Sequence, residues 1–133
     1  MRVVSIEHLK SVQSYTDPKI CEGTITIPIA RALVAAAQKQ SHRMESEINE
    51  RLIEQCLIDP QTRSVDISDI ISLWSGWMGV PGVPMEFKGT FEHVFGIFLR
   101  MIIVDWEEAG YTVVYEKAGY KAGKIGALSW ESK

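Results

Sequence analysis

Cysteine is scarce: Cys21 and Cys56 are the only two, they lie far apart, and neither forms a paired ligand spacing with His8, His42 or His93. That excludes a disulfide framework and gives no expectation of a bound metal. Long apolar runs are also missing. Charged residues interrupt every hydrophobic stretch well before the roughly 20 residues a bilayer crossing requires, so no membrane span is expected. Met1-Arg2-Val3-Val4-Ser5 does not begin a signal peptide, and a cytoplasmic location is the expectation. Neither charge sign dominates. Fourteen Lys and Arg stand against seventeen Asp and Glu, a net charge of −3, which argues against both a disordered chain and a generic polycation. There is no glycine-rich phosphate loop, no metal-ligand cluster and no nucleophile motif, so the sequence predicts neither an enzyme nor a cofactor.

What is present is enough apolar material for a core: 133 residues, 46% hydrophobic, fit one domain or two very small ones. Met1 to Asp17 mixes two periodicities and reads as a short arm. Asp17-Pro18 marks a new start. Gly23 to Ile29 then alternates polar and β-branched side chains, the pattern of a half-buried strand. Ala30 to Gln40 is alanine-rich without glycine or proline and predicts a helix. Ser41 can cap a second helix, in which Met44, Ile48, Leu52 and Cys56 recur every fourth position until Asp59-Pro60.

Beyond that break, Val65 to Ile67 predicts a short extended piece, and Ser68 or Asp69 can cap a helical turn through Trp74. Gly76, Gly79, Pro81, Gly82 and Pro84 predict an ordered loop. Thr90 to Ala109 is the strongest periodic segment, with Phe91, Val94, Phe95, Phe98, Leu99, Ile102, Ile103 and Trp106 on one stripe and Gly110 placed for the left-handed position after it. Strands are expected over Tyr111 to Tyr115 and Ile125 to Trp130. The turn between them carries Lys117, Lys121 and Lys124, readable as a solvated turn or as a phosphate-contacting patch. Trp74, Trp77, Phe91 and Trp106 read as core, and His93 as a surface residue of its helix.

Thr24-Ile25-Thr26-Ile27, the Ala30 to Gln40 helix, and Ser41 to Leu52 with its Ser46-Glu47-Ile48 step resemble, in order and content, the ribbon-helix-helix family of MetJ/Arc-type DNA-binding regulators. The resemblance covers about a quarter of the chain. It implies an α+β chain in three parts: an arm over 1–18, a dimeric ribbon-helix-helix motif over 19–60, and an α+β extension over 61–133 for oligomerisation or partner binding. Thr24 and Thr26 would face the major groove and read bases. Ser41, His42, Arg43 and Met44, at the start of the second helix, would clamp phosphates through free N–H groups and the helix dipole. Between Lys19 and Arg43 four cations face a single acid, Glu22, which suits that docking.

The function so implied is a homodimeric, sequence-specific regulator of transcription that binds double-stranded DNA, in a plasmid, conjugation or other mobile-element setting. Two alternatives stand beside it. One is an antitoxin that represses its own operon and holds a toxin through its C-terminal part. The other is a protein-interaction module whose strand and helices are an assembly surface.

Overall fold

A computed structural model describes residues 3–14, 25–116 and 124–131. These form an α+β chain with four helices and a small antiparallel sheet: α1 (Ile6–Ser14), α2 (Ile27–Ile58), β1 (Ser64–Asp66), α3 (Ser68–Trp74), α4 (Lys88–Glu108), β2 (Thr112–Tyr115) and β3 (Ile125–Ser129). Contacts divide the chain into two compact units, one of residues 1–41 and 75–101, the other of residues 42–74 and 102–133. Each long helix contributes its first part to the first unit and its last part to the second.

The largest departure from the sequence reading is α2. It is one helix of 32 residues where two helices and a turn were expected. The strand expected over Gly23 to Ile29 is not formed either: Ile27 to Ile29 are helical, and Gly23 and Thr24 lie outside the described residues. Thr26 is the reason the helix begins where it does. Its carbonyl accepts from the Ala30 N–H at 2.9 Å, and its hydroxyl lies 3.5 Å from the Ile29 N–H. Pro28 then falls in the first turn, where a missing N–H forfeits nothing. No glycine or proline follows until Pro60. Leu33, Ala37, Ser41, Met44, Ile48 and Leu52 are all buried, at successive steps of three or four residues, so one apolar stripe runs straight through the expected turn. Ser41 can be buried there because its hydroxyl donates to the Gln38 carbonyl at 2.8 Å.

In the first unit the expected arm is helical as well. Ser5 caps α1, its hydroxyl accepting from the His8 N–H at 3.2 Å. Ser11 of α1 and His93 of α4 lie 3.0 Å apart, Oγ to Nε2. The glycine- and proline-rich segment is ordered, as its aromatics suggested: Trp77 meets Phe91 edge-on at 5.3 Å, and the Gly76 carbonyl accepts from the Gln40 amide at 2.9 Å. Met85–Phe87 is a turn of 3₁₀ helix leading into α4. Phe87, Phe91, Phe95 and Ile97 are buried with Leu33 and Ala37 as this unit's core.

The second unit holds the sheet, in the order β1-β3-β2, all antiparallel. Val65 and Val113 both pair with Leu128, and the buried Val65, Leu128 and Ile125 mark the face turned to the core. Met44, Ile48, Leu52, Ile67, Ile70, Ile71, Ile102 and Trp106 are the unit's other large buried residues. Two local devices set the chain's corners. Asp66 accepts from both the N–H and the hydroxyl of Ser68, at 2.9 and 2.8 Å, so the start of α3 is held by Asp66 instead of Ser68 or Asp69. At the end of α4, Tyr111 N–H bonds the Trp106 carbonyl and Gly110 N–H the Glu107 carbonyl, with Gly110 at φ +105°. That is the Schellman arrangement expected at Gly110, and it turns the chain directly into β2.

Candidate nucleic-acid interface

The structure does not gather the residues expected to contact DNA. Thr24 lies outside the described residues, and Thr26 is an exposed helix cap. Ser41 and Met44 are buried at 2% and 0% exposure in the middle of α2. The phosphate clamp over Ser41 to Met44 therefore loses its basis, because amide groups inside a continuous helix bond to carbonyls four residues back and are not free. His42 and Arg43 are exposed on that same helix. They can offer side-chain charge but no helix end.

The second unit carries twelve acids against seven cations. Three of those seven, Lys117, Lys121 and Lys124, fall within eight residues that contain no acid. Strands β2 and β3 fix the root of this run: the Glu116 N–H donates to the Lys124 carbonyl at 2.7 Å, and Tyr115 pairs with Ile125 across a register shift after Val114. Lys117 and Lys121 themselves lie outside the described residues. Thr112, Val114 and Tyr115 of β2 are exposed beside this root. The end of α4 is acidic, with Asp105, Glu107 and Glu108 all exposed. Within the second unit a polyanion would therefore be attracted at the hairpin and repelled at the helix end.

In the same unit, α2 and α3 are tied by Arg51 and Asp69. Arg51 Nη2 donates to Asp69 Oδ2 at 2.9 Å, and Nη1 contacts the other oxygen in a bidentate pair while also reaching the Asp66 carbonyl at 3.2 Å. The hydrogen bond from Arg51 holds the Asp69 carboxyl below its ordinary value of 3.8, and the bond to Asp69 raises the Arg51 guanidinium in turn. A carboxyl whose folded pKa is depressed adds stability above its unfolded pKa and loses that contribution as the pH falls through the folded one. Asp69→Asn is thus expected to lower stability by about 0.5 kcal/mol at neutral pH, the scale of an exposed pair. Urea unfolding near pH 2 should show the two proteins converging; a difference that persists there would assign the loss to packing.

Sequence reasoning missed the partner of His93, because Ser11 is 82 residues away and no local spacing reports it. Among the described residues no group of three metal-ligating side chains is present. No helix among them is long and apolar enough to cross a membrane. No protein-family model matches the chain, and no match is found among curated proteins or solved structures.

Proposed function

We propose that the chain is a sequence-specific DNA-binding regulator of transcription that acts as a homodimer and approaches duplex DNA with the β2–β3 hairpin, in place of a ribbon built on Thr24 and Thr26. The observation that carries this reading is the acid-free lysine run at the hairpin, in a unit that is otherwise acidic. A two-stranded β-ribbon fits the major groove, and lysines in the sequence that joins its strands can neutralise phosphates. The unit's connectivity of helix, strand, helix, helix, strand, strand, with sheet order β1-β3-β2, resembles a helix-turn-helix module with a β-hairpin wing. In this reading Lys117, Lys121 and Lys124 contact phosphates. Thr112 and Tyr115 are the exposed ribbon side chains nearest the bases. Arg43 is a peripheral phosphate contact.

The test is selection from a pool of random duplex DNA across a salt series, with sedimentation to count protomers. The expected result is an enriched inverted repeat bound by two chains. The triple variant Lys117→Gln, Lys121→Gln, Lys124→Gln should weaken binding to all sequences and flatten the dependence of log affinity on log salt by about two to three, near 0.9 per lost phosphate contact. Thr26→Ala should leave the enriched sequence unchanged. Absence of salt-sensitive binding, or a triple variant that binds like the parent, overturns the proposal and favours the protein-interaction module.

A further inference from the structure

We propose that the second unit holds a binding pocket for a small organic cation with an apolar body. The last two turns of α2, the turn from α4 into β2 and the residues that follow β3 line an open cleft of about 630 Å³. That volume falls within the range of small-molecule sites, which are apolar clefts with few, well-placed polar groups. Leu52, Ile53 and Leu57 form the aliphatic side, and Tyr111 with Trp130 the aromatic one. The two rings meet edge to face, 5.8 Å between centroids at 89°, so they form a fixed corner. Ile53 and Leu57 remain 62% and 78% exposed, leaving apolar surface in water that a ligand would cover.

Charge selects the sign of the ligand. Among the described residues Glu131 is the one acidic side chain that lines the cleft, and neither lysine nor arginine lines it. The surrounding unit has its own excess of acids. A carboxylate beside two aromatic rings is suited to an ammonium group, through ion pairing and through attraction of the cation to the ring faces. An apolar body on the same ligand would lie against Leu52 and Leu57. This inference does not rest on the DNA-binding reading, and its test contains no DNA.

Cys56 lines the cavity and is exposed, so its thiol can report occupancy. In the 133-residue chain with Cys21→Ser, alkylation of Cys56 by iodoacetamide is timed while benzyltrimethylammonium or its neutral isostere neopentylbenzene is titrated in. The cation is expected to slow alkylation at least fivefold at saturation. The neutral isostere should require a concentration several times higher. Glu131→Gln should weaken the cation about three- to fivefold, the scale of an exposed ion pair, without altering the isostere. Equal affinity for cation and isostere, an unchanged Glu131→Gln variant, or no protection by either compound overturns the proposal. So does self-association abolished by Leu57→Asp together with failure of the cation to protect Cys56, since a second copy would then occupy the cavity.

Discussion

Replacing Ser41 by proline is expected to destabilise the chain by about 3 kcal/mol or more, while Ser41→Ala should change stability by less than about 1 kcal/mol. The contrast follows from the position of Ser41 inside α2, at 2% exposure and far from either end. A proline there removes an amide hydrogen bond and drives its ring into the preceding turn, with no room for the helix to bend away from a buried face. Alanine keeps the helix and loses a hydroxyl whose partner, the Gln38 carbonyl, faces an ordinary helical amide as well. Urea unfolding of the three proteins decides the matter. A proline variant within 1 kcal/mol of the parent would mean that the helix breaks at Ser41, and would restore the two-helix motif of the ribbon-helix-helix resemblance.

The second large effect is expected in the aromatic core of the first unit. Phe91 is 1% exposed, edge-on to Trp77 at 5.3 Å and stacked on Phe95 at 6.4 Å. Truncation to alanine removes the transfer free energy of the ring, leaves a cavity that neighbouring rings cannot fill, and deletes two aromatic contacts. The expected loss is about 3–5 kcal/mol. Phe98, half-buried on the same helix, supplies the comparison and should cost roughly half as much on truncation. Denaturant midpoints give both values, and the near-ultraviolet circular dichroism of the Phe91→Ala protein should lose the contribution of a Trp77 side chain held against a ring. Equal losses at the two positions would show that Phe91 is not the centre of this cluster.

The C-terminal half was the more legible part of the sequence, for a physical reason. Its signals are local and redundant: the stripe from Phe91 to Trp106, the left-handed glycine at 110 and the β-branched run after it all reinforce one another. The helix, the turn and strands β2 and β3 accordingly fall within a residue or two of expectation. In the N-terminal half the same residue types serve two patterns. Thr24 to Ile29 alternates as a strand does, yet Thr26 followed by Pro28 is also how a helix begins, and the propensity of the 30 residues beyond it decided in favour of the helix. Ser41 reads as a cap in the sequence because serine usually competes with helical bonding. Here its burial in the Leu33 to Leu52 stripe reverses that preference.

The candidate sites divide in the same way. The lysine run at the hairpin was visible in sequence because charge needs no folding to be counted. The cavity was not, since Leu57, Tyr111 and Trp130 come from three separate segments and no spacing between them announces a pocket. The pairing of Arg51 with Asp69 was hidden for a similar reason. Donor and acceptor stand 18 residues apart on two different helices, a separation that no helical spacing reports.

Both outer strands of the sheet are short. Strand β1 has three residues and β2 has four, and the register of β2 slips after Val114. Among the described residues each leaves one row of backbone groups without a neighbouring strand, which is where another chain could add itself and start an aggregate. Three or four residues give too little ladder to hold such an addition, and the unopposed residue of the register shift, Gly126, lies on the central strand β3. Strand edges this short give a second copy of the chain little to pair with.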